Sequence, residues 1–171
     1  MKSYFTVWEL TVMLFFAATS ALINTFLPIK SITQTLGIPG PAAGMALLGG
    51  IIFVFWIALA HSVIQKKYSA IVTALFTAAF CLLIHPWYGV IVPGWFGIYA
   101  VIALLSIGTS IELINKKFIN AGIGNSICLI ITWLAIGFHT GIWIEPIFAP
   151  VMLLVGFVSG CFGAFLANII R

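Results

Sequence analysis

The sequence predicts an all-α integral membrane protein, a compact bundle of six transmembrane helices with both chain ends on the cytoplasmic side. Composition is the first reason, because 63% of the 171 residues are hydrophobic and 6% are charged, against about 45–50% and about 25% in soluble domains. Helices are expected because backbone polar groups must be hydrogen-bonded in lipid, and the period-two alternation of a membrane barrel is missing. Almost no chain remains for a soluble domain.

Six apolar segments account for the helices, each close to the roughly 20 residues needed to cross a bilayer. The third is the shortest, and we expect it to lie partly within the bundle. Residues 1–171 therefore form a single transmembrane domain. The predicted spans are 8–27, 41–64, 68–84, 94–114, 118–138 and 147–169.

The basic residues give the orientation. Six spans place both chain ends on one side together with the second and fourth connections, and only Lys30 falls on the other side. Because basic residues in short loops stay cytoplasmic, we expect a multi-pass protein of the cell (cytoplasmic) membrane, and the net charge of +4 needs no nucleic-acid partner. The residues on the shared side are Lys2, Lys66, Lys67, Lys116, Lys117 and Arg171.

The first segment is expected to be retained as a helix. Small residues end its apolar run at Thr19-Ser20-Ala21, as in a cleaved signal peptide. However, Glu9 opens the run and Lys2 alone forms the basic region before it, which argues against cleavage.

Small residues at helical spacing mark two faces. Ala17 and Ala21 stand four apart in the first segment, and the sixth carries a longer ridge. Such faces allow close helix contact in lipid, either within the bundle or against a partner protein, and spacing leaves both alternatives open. The ridge consists of Gly156, Gly160, Gly163, Ala164 and Ala167.

Aromatic residues collect in and beside the predicted external connections. Trp95 and Tyr99 are four apart in the fourth segment, Trp133 lies in the outer half of the fifth, and Trp143 and Glu145 follow it. If these side chains converge, they would form a flat aromatic pocket with one negative charge. Such a pocket suits an aromatic or cationic ligand. The alternative is an aromatic belt at the membrane interface.

Catalysis and metal binding are not predicted. Glu112, inside the fourth segment, has Lys116 at i+4, which favours a structural ion pair over a functional intramembrane acid. A metal site formed by His85, His139 and Glu145 is conceivable, but no metal-ligand spacing supports it. The chain lacks aspartate and the hydrolase motifs, so we predict that it is not an enzyme.

Asn120 and Asn125, near the start of the fifth segment, are expected to form interhelical hydrogen bonds. The cysteines Cys81, Cys128 and Cys161 all fall inside predicted spans. They are odd in number and lack metal-ligand spacing, so they are read as small core residues.

The chain as a whole resembles the substrate-binding S components of energy-coupling factor (ECF) type ABC transporters. Size, six short helices, both ends inside and Ala17-x-x-x-Ala21 in the first helix carry the resemblance. The stretches 38–44, 65–75 and 159–167 add to it: Ile-Pro-Gly-Pro-Ala-Ala-Gly, the Gln-Lys-Lys turn with the helix after it, and the glycine-rich ending. Within the family, the chain is most similar to the thiamine or hydroxymethylpyrimidine type.

The resemblance implies a capture subunit for a small-molecule vitamin. It implies assembly with a transmembrane coupling subunit, which the family meets through the positions of Ala17 and Ala21, and with two ATPase subunits that use ATP. No cofactor is then expected on this chain itself. The substrate would lie beneath the first and third external loops. The implied substrate-binding residues are Trp95, Tyr99, Trp133, His139, Trp143, Glu145 and Gln34.

Two other functions stay open. A structural or accessory subunit of a larger membrane complex fits the same composition. A stand-alone small-solute transporter would need charged groups along a midplane path, which the sequence does not provide convincingly.

Overall fold

The computed structural model describes residues 4–27, 32, 42–84, 96–113 and 117–170, and these residues form six helices and no strand. The prediction of an all-α chain with six helices is therefore confirmed. The helices are α1 (Val7–Phe26), α2 (Ala43–Ile64), α3 (Ser69–Ile84), α4 (Phe96–Leu113), α5 (Lys117–Thr140) and α6 (Ala149–Ile170).

Four of these helices, α1, α2, α5 and α6, are long and apolar enough to cross a membrane. The helix α3 has 16 residues, or about 24 Å at 1.5 Å per residue, which is less than the hydrocarbon core of about 30 Å. Length and composition thus support membrane spans for four helices. Spans at α3 and α4 stay a prediction.

Successive helices run in alternating directions, so the bundle has two distinct ends. A salt bridge of 2.8 Å between Lys66 Nζ and Glu9 Oε2 joins the start of α1 to the turn after α2. Asn168, near the end of α6, lies at the same end of the bundle, where it lines a cavity together with Lys66 and Lys67. We call this the lysine end. The opposite end, which carries the α5–α6 connection with Trp143, is the tryptophan end.

The helix α2 is central, because it contacts each of the other five helices. Its middle, Gly50–Val54, forms a π-helical turn, which leaves the regular α-helical hydrogen-bond ladder. Side chains of neighbouring helices also bond to the backbone around this turn. Ser20 Oγ donates to the Ile52 carbonyl at 2.6 Å, while Ser159 Oγ accepts from Gly50 N at 3.1 Å and donates to the Leu47 carbonyl at 2.9 Å.

The small-residue ridge of α6 packs inside the bundle. A Cβ on Gly163 would overlap the Gly50 carbonyl oxygen of α2, and one on Gly160 would lie 2.6 Å from the Ala121 carbonyl oxygen of α5. Such close backbone approach is what small residues permit. Internal packing, one of the two alternatives for this ridge, is therefore its role in the structure.

Local sequence signals fix two helix ends. Thr6 and Glu9 form a capping box at the start of α1, with Thr6 N donating to Glu9 Oε2 at 2.8 Å and Glu9 N donating to Thr6 Oγ1 at 3.3 Å. At the other end of the bundle, Gly141 follows α5 with φ +72° and donates its N–H to the Gly137 carbonyl at 3.0 Å. This is the left-handed helix ending that glycine favours, and it directs the chain toward Trp143.

Candidate functional site

Five of the seven predicted substrate-binding residues are described at the tryptophan end. Tyr99 lies on α4, Trp133 and His139 lie on α5, and the connection to α6 carries Trp143 and Glu145. The other two, Trp95 and Gln34, lie outside the described residues, as do Lys116 and His85.

The structure brings Tyr99 and His139 together across the α4–α5 interface. The Tyr99 hydroxyl and His139 Nε2 are 3.1 Å apart, and the two rings meet edge to face with centroids separated by 5.4 Å. Tyr99 also packs against the buried apolar core. The core thus fixes the tyrosine ring, and its hydroxyl positions the exposed imidazole.

Trp133 and Trp143 lie on the same face of α5 at different depths. Trp133 belongs to the buried core, with 7% of its surface exposed. Trp143 folds back from the connection onto Gly137, where a Cβ would overlap the indole ring, and meets Phe138 edge to face at 5.3 Å. Gly137 follows Trp133 by four residues, so it lies one helical turn further along that face. Trp143 therefore packs one turn beyond Trp133 on α5, while the Trp133 ring itself lies in the core.

Glu145 is an exposed carboxylate on the turn that leads into α6. Its backbone carbonyl accepts from Phe148 N at 2.9 Å, which fixes the turn. Within the described ranges, no ion pair or hydrogen bond of its carboxylate joins it to the aromatic residues. The structure therefore brings Tyr99 and His139 into contact, while Trp133 lies in the core and Glu145 stays exposed at the rim.

This arrangement offers a ligand the exposed indole of Trp143, a phenol–imidazole pair and a nearby negative charge. Indole and phenol rings attract flat aromatic rings and cations, and the phenol–imidazole pair can donate or accept hydrogen bonds. The exposed Trp143, at 51%, also fits the interfacial belt that the sequence left open.

Glu112 has partners that the sequence did not indicate. Its Oε1 accepts from Ala70 N at 2.9 Å and lies 3.4 Å from His61 Nδ1. The carboxylate therefore caps the start of α3, where a negative charge is stabilised by unpaired N–H groups. The proposed pairing with Lys116 falls outside the described residues. Helical spacing could not have found Ala70, because the contact joins residues 42 positions apart.

The proton of the His61 ring can be assigned from the hydrogen bonds around it. Ser69 Oγ donates to the Lys66 carbonyl at 2.7 Å and lies 2.8 Å from His61 Nδ1. Because the serine proton is already used, Nδ1 must be the donor to Ser69 Oγ. His61, Ser69 and Glu112 thus form one connected polar cluster at the lysine end.

Ala17 and Ala21 lie inside the chain. Both are fully buried, and Ser20 on the same stretch of α1 bonds the Ile52 carbonyl of α2. The expectation that these two alanines meet a coupling subunit does not fit this arrangement, because the bundle itself covers them. The sequence spacing identified a face of small residues on α1, and tertiary packing determines which helices cover that face.

Because Ala17 is buried, Ala17→Trp is expected to lower the free energy of unfolding by about 1–3 kcal/mol, the usual cost of overpacking. Phe15→Trp is the matched control, because Phe15 lies on the same helix and is 63% exposed. Thermal unfolding in an uncharged detergent measures both variants. Equal stability of the two would contradict the internal packing of Ala17.

Asn125 confirms its predicted role, because its Nδ2 donates to the Gly156 carbonyl of α6 at 2.7 Å. Asn120 is fully buried. The three cysteines are free thiols, two of them buried. Among the residues that the structure describes, no group of three His, Cys, Asp or Glu side chains is placed to hold a metal ion.

Comparison of the chain with protein-family models, curated proteins and solved structures finds no match.

Proposed function

We propose that this chain is the substrate-capture subunit of a vitamin uptake transporter of the energy-coupling factor type. It would bind a small aromatic or cationic vitamin at the tryptophan end, with thiamine or its pyrimidine precursor favoured. A transmembrane coupling subunit and two ATPase subunits would then drive delivery to the cytoplasm. The chain would have both ends in the cytoplasm and the tryptophan end outside.

The observation that carries the proposal is the Tyr99–His139 pair beside the aromatic face of α5. A core-anchored phenol bonded to an exposed imidazole at 3.1 Å supports hydrogen-bond recognition at this end. The exposed indole of Trp143, which packs against α5 at Gly137, supports stacking of a flat ring. Glu145 at the rim supports a positive charge on the ligand.

The coupling subunit would have to use a surface other than Ala17 and Ala21. The outward side of α1 offers large apolar side chains, among them Leu14, Phe15 and Leu22. Lipid contact accounts for such side chains equally well, so no partner surface is assigned on α1.

Ligand binding gives the direct test. Purified protein would be titrated with thiamine, hydroxymethylpyrimidine and a small vitamin panel by calorimetry, which does not depend on tryptophan emission. We expect one compound to bind saturably. Trp143→Ala and Glu145→Gln should each weaken that binding by about 1–3 kcal/mol, the size of a desolvated cation–π or charge-assisted contact.

Trp8→Ala is the matched control, because Trp8 is also an exposed tryptophan, at 73%, but lies on the first turns of α1 at the lysine end. An equal loss of affinity in Trp8→Ala and Trp143→Ala would remove the site from the tryptophan end. Absence of binding by every compound would favour the structural or accessory subunit, for which co-purification with a large membrane complex is the matching observation.

A further inference from the structure

A cavity of about 280 Å³ opens at the lysine end, between α2, α4, α5 and α6. One part of its wall is apolar and includes Ile111, Phe118 and Ala164. The other part is polar and includes His61 and Lys67. The cavity lies at the opposite end of the bundle from the proposed vitamin site, so it calls for a separate explanation.

The carboxylates near this cavity are already compensated. Glu9 is paired with Lys66 at 2.8 Å, and Glu112 caps α3 beside His61. Lys67 remains as a cation, with its ammonium group 4.9 Å from the Tyr68 ring centroid and, among the described side chains, no carboxylate partner. The polar part of the cavity therefore favours an anion.

Phe118 extends the apolar wall of the cavity. It lies near the start of α5 and lines the cavity there. Phe118 is also 39% exposed. The apolar wall thus continues from the cavity onto the outer surface of α5.

We propose that this cavity binds the phosphate headgroup of an anionic phospholipid. Basic pockets between membrane helices bind such headgroups, and four helices of this chain are long and apolar enough to cross a membrane. Lys67 and the polar wall would receive the phosphate, while the apolar wall with Phe118 would receive the glycerol and the first part of the acyl chains. A free phosphate ion would use the polar wall alone, so the apolar half distinguishes the two sources.

The test uses the full-length chain in an uncharged detergent and three probes: dioctanoyl phosphatidylglycerol, dioctanoyl phosphatidylcholine and inorganic phosphate. We expect saturable binding of the phosphatidylglycerol and much weaker binding of the phosphatidylcholine, measured by native mass spectrometry and calorimetry. Lys67→Gln should weaken phosphatidylglycerol binding about fivefold, as loss of one lysine near an anionic headgroup does. Lys30→Gln, the same charge change three residues after Leu27 at the far end of α1, should leave it unchanged.

A second variant tests the apolar wall without changing charge. Ala58→Leu places a larger side chain on a residue that lines the cavity, and it should weaken phosphatidylglycerol binding even if Lys67→Gln fails to fold. Equal binding of the two lipids, or an equal effect of Lys67→Gln and Lys30→Gln, would overturn the proposal. Inorganic phosphate binding as tightly as the lipid and unaffected by Ala58→Leu would assign the cavity to free phosphate instead.

Discussion

Gly163→Ala is expected to lower the free energy of unfolding by about 3 kcal/mol or more, at the upper end of what overpacking costs. The added methyl group would overlap the carbonyl oxygen of Gly50, which is backbone and cannot rotate away. The helices α2 and α6 would have to separate at the π-helical turn. That shift would also disturb the hydrogen bonds of Ser159 to Gly50 N and the Leu47 carbonyl.

Gly156→Ala is the matched control on the same helix. A Cβ at Gly156 would have its nearest neighbour, Leu129 Cδ2, at 3.4 Å, which is near ordinary van der Waals contact. The alanine also has higher helix propensity than glycine by about 1 kcal/mol. Thermal unfolding in detergent should therefore separate the two variants clearly. If both are equally stable, the close crossing of α2 and α6 is not as described.

Glu112→Ala is expected to lower the free energy of unfolding by about 1–3 kcal/mol, the cost of leaving a buried hydrogen-bond donor without its acceptor. The substitution leaves Ala70 N without its acceptor and removes the group beside His61 Nδ1. With 7% of the Glu112 side chain exposed, water cannot easily replace the carboxylate.

Glu112→Gln separates the hydrogen bond from the charge, because the amide oxygen can still accept from Ala70 N. Its unfolding free energy should fall between those of the original protein and Glu112→Ala. The exposed carboxylate Glu145 provides the opposite comparison, since Glu145→Ala should change stability by less than about 0.5 kcal/mol. A Glu112→Ala variant as stable as Glu145→Ala would show that the cluster with His61 and Ser69 contributes nothing.

The helices could be predicted closely because their signals are local. Each signal specifies a helix or a helix end within a few residues of itself. These signals are the length of an apolar segment, the turn lysines Lys66 and Lys67, and Gly141 after α5. The capping box of Thr6 and Glu9 is equally local, although Glu9 was expected only to mark the first segment as a retained helix. Its second contact, with Lys66, joins positions 57 apart and carries no sequence signal.

The sequence could name residues for a candidate site but not their contacts, and their role in binding stays a prediction. Tyr99 and His139 were both predicted to bind the substrate. Their hydrogen bond joins residues 40 positions apart in sequence, so it depends on how α4 packs against α5. Trp143 was expected beside the ligand or in a belt, and its return onto Gly137 follows from the left-handed ending at Gly141. The relation of Trp95 and Gln34 to these residues lies outside the described ranges.

Hydropathy and charge along the chain are sufficient to predict the all-helical class, the six helices and the two chemically different ends, because they act through segment length and local spacing. Tertiary structure alone decided which small faces are covered, as for Ala17 and Gly163, and which polar groups meet, as for Glu112 with Ala70 and His61. The physical reason is that helical periodicity fixes the side of a helix on which a residue lies. What packs against that side depends on backbone approach and on buried hydrogen bonds between segments far apart in the chain.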